Sequence, residues 1–124
     1  MTQLGLSLSQ DALQGFAAIA GRDSLGRTVV WLRGEHDAST ALALSKTVAR
    51  AIQRNSSDLV LDLSGVQFMD SATAGVIGDS LAALHRRSRS LTLRAPSPGA
   101  QRFLNLGSLG ELVEDRPRVC VLAP

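Results

Sequence analysis

The stretch "DLVLDLSGVQFMDSATAGVIG", Asp58–Gly78, decides how this chain is read. It begins as an apolar run, crosses Ser64 and Gly65, reaches a polar pair at Asp70 and Ser71, and continues in small residues. "LVLDLSGV" reads as a buried strand ending at Ser64-Gly65, and a helix is expected from about Ser71 to Ser88. Asp and Ser are both favoured helix caps, each contributing on the order of 1 kcal/mol. Capping explains the residue types at the junction, but not the small residues after it. Projected at about 100° per residue, Ala74, Ile77, Leu81 and Leu84 share one stripe, expected to face a sheet. Ser71, Gly75, Gly78 and Ala82 share another. Two glycines inside a helix cost roughly 1 kcal/mol each relative to alanine. A stripe without bulky side chains lets a second backbone come close, from this chain or from another protein. Because Ser71 heads the stripe, a partner protein is the expected occupant. The helix start also presents backbone N–H groups that favour an anion such as phosphate.

On the N-terminal side, "GFAAIAG" and "TVVWLRG" are apolar runs separated by "RDSLGR", whose Asp, Ser and Gly mark a turn. This predicts a β-hairpin. From Ala38 to Arg54 the period changes: Ala41, Leu44, Val48, Ala51 and Ile52 recur at helical spacing. "NSSD" ends that helix. On the C-terminal side, "SLTLR" reads as a strand, and Ser97-Pro98 as the cap and first position of a third helix. Gly107 is expected to end that helix, and "RVCVL" to form a last strand. The order is β-β-α-β-α-β-α-β, a small mixed sheet with helices packed mainly on one face. Residues 1–14 read as a poorly ordered lead-in, and residues 15–124 as one domain.

Composition narrows the classes. With 44% apolar but only 3% aromatic residues, the core must be aliphatic. The formal charge of +2 argues against direct nucleic-acid binding. Arg86, Arg87 and Arg89 are the one basic cluster and read as a solvated helix end. Cys120 is the single cysteine. It reads as a buried structural thiol in a reduced, cytosolic chain. No apolar run approaches the ~18 residues of a membrane span, and the N-terminus lacks the pattern of a signal peptide. A cytoplasmic protein is expected.

Catalysis finds little support. The neighbours of Ser71 do not form the G-x-S-x-G elbow of a hydrolase. His85 would lie about 20 Å along the same helix, and His36 reads as part of a loop after the second strand. "GEHD" lacks the second histidine of a zinc motif. An enzyme is not expected, nor a metal or other cofactor.

The 58–78 stretch resembles the STAS domain of bacterial anti-sigma factor antagonists, whose pattern is a strand followed by "DLS.V.FMDSSGLGVI". "VVWLRGEHDASTA" is similar to the family's "GELD..TA" segment, and "RFLNLGSLGEL" to its "lF...GL...i" segment. The resemblance covers about residues 25–113. It implies an α/β fold and a binding protein that sequesters an anti-sigma factor, itself a serine kinase. The kinase phosphorylates the antagonist and so releases itself; a phosphatase reverses the step. Carried over, Ser71 is the phosphate acceptor, with Asp70 beside it and Asp37 of the "GEHD" loop on the same partner surface; the small-residue stripe adds Gly75 and Gly78 to that surface. For Asp37, capping of the following helix is the alternative. Two departures stand out. Thr73 occupies a position where the family usually has glycine, and the family's C-terminal helix has no counterpart here. Stressosome STAS subunits also lack that glycine, so a scaffold subunit is one alternative. A STAS accessory subunit of a membrane transporter is another.

Overall fold

The structure is a computed structural model that describes residues 17–105 and 108–114. The expected lead-in, Gly107, Cys120 and the last strand lie outside the described residues. The hairpin forms as expected: β1 (Ala17–Arg22) pairs antiparallel with β2 (Thr28–His36). Its turn is held by Asp23, whose side chain accepts from the N–H of Leu25 at 3.0 Å and of Arg27 at 2.9 Å. Gly26 takes a positive φ of 80° there, a conformation that favours glycine.

Helix α1 (Ala38–Arg54) carries the chain from β2 to β3 (Leu59–Met69), and α2 (Ser71–His85) carries it on to β4 (Leu91–Arg94). Both strand pairs are parallel, giving one four-stranded sheet in the order β1-β2-β3-β4. Strand alternation sends Val30, Leu32, Leu59, Leu61, Leu63, Leu91 and Leu93 into the core, where they meet Leu44, Val48 and Ala51 of α1 and Ile77 and Leu84 of α2. Period-2 strands and period-3.6 helices thus bury one face each against the other. On the reverse of the sheet Arg33 stacks over the Trp31 ring at 4.8 Å.

Two boundaries and one burial differ from the sequence reading. First, β3 does not end at Ser64-Gly65 but continues to Met69. Gly65 is the reason: a β-carbon there would meet Cβ of Arg33 at 2.6 Å, so the glycine lets β2 and β3 stay paired past a register shift. Second, α2 ends at His85 rather than Ser88, because Ser88 adopts a positive φ of 59° and the chain turns back through Arg89 N–H to the Leu84 carbonyl at 2.9 Å. Third, the basic cluster is not uniformly solvated. Arg86 and Arg87 are exposed, but Arg89 is buried, donating through Nε to the Ser57 carbonyl at 2.7 Å and through Nη1 to the Ile52 carbonyl at 2.9 Å. It satisfies the Ile52 carbonyl in the last turn of α1, which would otherwise be orphaned, and the Ser57 carbonyl in the loop that follows.

Beyond Asp62, β4 no longer pairs with β3. Helix α3 (Pro98–Leu104) takes that place. The Ser97 side chain caps it, accepting from Ala100 N–H at 3.2 Å, and donates to the Val66 carbonyl. Gly99 lies so close to the Gln67 carbonyl that a β-carbon has no room. A 3-10 turn (Ser108–Leu112) comes next, and Val113 bridges to Leu93.

Candidate functional site

The site lies where β2 and β3 end side by side, with His36 paired to Met69. Each strand runs directly into a helix, and each helix is capped by the aspartate between them. Asp37 Oδ1 accepts from Ser39 N–H at 2.9 Å and from Ser39 Oγ at 2.6 Å, while Asp37 N–H donates to Thr40 Oγ1 at 3.1 Å. The Ser39 hydroxyl, then the Ser39 N–H, hold the Asp37 carboxyl below the usual carboxylate range. Asp70 Oδ1 accepts from Ala72 N–H at 3.0 Å and Thr73 N–H at 3.3 Å. Capping, the alternative reading of Asp37, is therefore a role of both aspartates.

One carbonyl ties the two junctions together. The His36 carbonyl accepts from Asp70 N–H at 3.2 Å and from Thr73 Oγ1 at 2.8 Å. Thr73 is buried. Its hydroxyl fixes the first turn of α2 to the end of β2, a role open to threonine and closed to the glycine it replaces. His36 is not in a loop. It is the last residue of β2 and fully buried, with Nε2 3.1 Å from the Arg33 carbonyl. Its side chain is enclosed while Ser71 is exposed, and His85 is at the far end of α2.

Ser71 is the first residue of α2, exposed, and its hydroxyl makes no hydrogen bond among the described residues. Behind it Gly75, Gly78 and Ala82 are all exposed, while Thr73, Ile77, Ser80 and Leu84 form the buried stripe. Apart from its chain neighbours and its own helix backbone, a β-carbon on Gly75 or Gly78 would meet no heavy atom of the described residues within 4 Å. Among the described residues, the small residues therefore do not serve packing. The structure thus brings Ser71, Gly75 and Gly78 onto one open helix face, with Asp70 at its head and Asp37 at the neighbouring helix start.

Two features were not read from the sequence. The N–H groups of Ala72 and Thr73, expected to be open to an anion, are taken by Asp70. The signal was present: an Asp before the helix supplies its own anion. The second feature is a hollow of about 390 Å³ beside the β3–α2 junction, lined by Gln67, Phe68, Met69, Gly99, Arg102 and Phe103. Two of the chain's three phenylalanines meet there. No sequence period joins β3 to α3, so their meeting is a fact of topology. Among the described residues no group of three or more His, Cys, Asp or Glu is placed to hold a metal ion.

Solved structures share this architecture. An anti-sigma factor antagonist from Mycobacterium paratuberculosis superposes with a TM-score of 0.69 at 24% identity, covering 86% of this chain and 91% of that one. The Bacillus cell fate determinant SpoIIAA in its phosphorylated form gives 0.62 at 20% identity, covering 86% and 94%. The murine anion transporter Slc26a9 gives 0.66 at 14% identity, over 95% of this chain but 24% of the transporter. These are likenesses of fold. Residues 19–114 match the family model described as Mlab, STAS domain; with that match running from β1 through the 3-10 turn, the chain belongs to the STAS domain family.

Proposed function

We propose that this STAS domain is an anti-sigma factor antagonist, a cytoplasmic binding protein rather than an enzyme, whose partner is an anti-sigma factor serine kinase. Phosphorylation of Ser71 by that kinase switches it off, and a phosphatase restores it. The observation that carries the reading is Ser71 itself: an exposed, unengaged hydroxyl heading a helix face on which Gly75, Gly78 and Ala82 leave room for another protein's backbone. The fold shared with SpoIIAA, an anti-sigma factor antagonist solved both without and with its phosphate, supports it. Asp37 and Asp70 flank the acceptor and shape the surface as well as capping. A partner closing over that face would have to desolvate a phosphate dianion, at a cost of several kcal/mol, and each 1.4 kcal/mol is tenfold in affinity.

The test is incubation with a kinase-type anti-sigma factor and ATP, with the phosphate mapped by peptide mass spectrometry. One phosphate on Ser71, lost binding for Ser71→Asp and persistent binding for Ser71→Ala are expected. Phosphate on another residue, or tight binding by Ser71→Asp, refutes the proposal.

A second reading has its own observation. The matching family model is the Mlab type, and the same fold forms part of an anion transporter, so an accessory subunit of a membrane transporter uses the same helix face on a different partner. No helix of the described residues is long and apolar enough to cross a membrane. Binding to a transport ATPase with no phosphate transfer to Ser71 selects this reading over the first.

A further inference from the structure

We infer that the hollow between the end of β3 and α3 is a second recognition pocket, which takes an apolar side chain of a partner protein segment together with an adjacent carboxylate. The inference rests on the reading of this end of the sheet as the partner-binding end, and adds what the partner must carry. The hollow exists because β4 stops pairing at Asp62 while β3 runs on to Met69, with α3 filling only part of the vacated edge. Gly99 allows α3 to approach Gln67 closely at one end. Phe68 and Phe103 line the hollow beside that contact. Phe68 is 50% exposed, against 3% for its neighbour Met69. An aromatic ring this exposed gains from being covered.

Charge settles the chemistry of the occupant. Arg102 is the one ionisable residue in the lining, is exposed, and has no hydrogen bond or ion pair among the described residues. The other arginines near carboxylates are committed: Arg27 and Arg94 both pair with Asp23 at 2.7 Å and also reach Glu114. A guanidinium beside an apolar hollow recognises a carboxylate through paired N–H donors. The hollow adjoins the Ser71 face through the β3–α2 junction, since Phe68 and Ser71 are separated only by Met69 and Asp70. One partner can therefore occupy both.

The test uses the full chain, labelled with nitrogen-15, titrated with two peptides: acetyl-Ser-Asp-Phe-Leu-Glu-Ser-amide and its counterpart with lysine at both acidic positions. The acidic peptide is expected to shift the amide signals of Gln67, Phe68, Met69 and Arg102 and to bind at least tenfold more tightly than the basic one. Arg102→Glu should reverse that preference, and Phe68→Ala should weaken the acidic peptide at least fivefold; the amide spectrum of each variant reports its folding. Equal binding of the two peptides, or shifts confined to other surfaces, overturns the inference. Concentration-dependent shifts of the same amides without peptide overturn it too, and make the hollow a contact between two copies of this chain. The peptides involve no kinase, so their failure leaves the Ser71 phosphate mapping untouched, and failure of that mapping leaves the peptide result to stand.

Discussion

Replacing Gly75 and Gly78 together by alanine should make this protein more stable. Both lie inside α2, both are exposed, and, chain neighbours and the helix backbone apart, neither has a heavy atom of the described residues within 4 Å of where a β-carbon would sit. Neither has a positive φ, so nothing in the backbone asks for glycine. Each substitution then recovers the propensity difference alone, about 0.8–1 kcal/mol. The pair sums to somewhat under ~2 kcal/mol, which for a domain of this size raises the melting temperature by roughly 5–10 °C. Urea unfolding followed by the fluorescence of Trp31, the single tryptophan, on the reverse of the sheet from α2, reads the change without touching the helix. The functional half of the prediction uses Gly78→Gln, which also favours the helix but adds a long side chain. It should keep most of the added stability and lose partner affinity at least tenfold, because the side chain holds the partner's backbone away. A gain in stability with a loss of binding is the signature of glycines kept for an interface. If the double alanine variant unfolds at lower urea than the parent, the stripe is packed internally and does not serve a partner. If Gly78→Gln binds as the parent does, the partner does not use this face.

Three other outcomes are expected from the geometry. Thr73→Val removes the hydroxyl from the His36 carbonyl and leaves the Asp70 N–H bond to it in place; a loss of about 1 kcal/mol is expected, read as a lower urea midpoint, with Thr73→Ser close to the parent. Asp70→Ala removes the cap of α2 and should cost about 1 kcal/mol, seen as a lower melting temperature even where no partner is present. Burial alone would raise the Asp23 carboxyl, but hydrogen bonds from Arg27 side chain and backbone outweigh it and hold it below its ordinary value. Its contribution is therefore complete above about pH 4 and disappears as the pH falls through the depressed value, so parent and Asp23→Asn should differ in melting temperature at neutral pH and converge in acid.

How far the sequence is legible depends on the range of the interaction that decides each feature. The start of α1 and of α2, and the Ser97-Pro98 cap of α3, are readable because a cap is a contact between residues two or three apart. The face of α2 is readable in outline because helical period is local: Ile77 and Leu84 are buried and Ser71, Gly75 and Gly78 exposed, while Ala74 and Leu81 of the projected stripe are only half-buried and Thr73 and Ser80 are buried instead. The end of β3 is not, because Gly65 looks like a breaker on its own and becomes a close-approach residue only opposite Arg33. Arg89 escapes for the same reason, since its acceptors, Ser57 and Ile52, lie 32 and 37 residues away. The Phe68–Phe103 hollow is also long-range. His36 reads as a loop residue because "GEHD" is polar, yet strand alternation places its ring inward, two positions beyond Gly34.

The same contacts explain why a phosphate on Ser71 should act on binding and leave folding nearly alone. The Ser71 hydroxyl has no internal hydrogen bond to lose among the described residues. The first turn of α2 is anchored by Asp70 and Thr73, not by Ser71: two N–H groups go to Asp70 Oδ1, and the Thr73 hydroxyl to the His36 carbonyl. Two opposing terms act on the added charge of about −1.5 to −2. The helix start attracts it, by roughly 0.3–1 kcal/mol at an exposed position. The neighbouring Asp70 repels it, at an exposed site where water and salt screen the interaction. Because Asp70 already holds the N–H groups of Ala72 and Thr73, the attraction is not strong enough to draw the phosphate inward, and the group stays in solvent. The melting temperature of the phosphorylated chain should therefore lie within a few degrees of the unmodified one, while partner binding is lost. A large fall in melting temperature on phosphorylation would mean that Ser71 supports the helix start, and the switch would then work by unfolding α2 rather than by charging its surface.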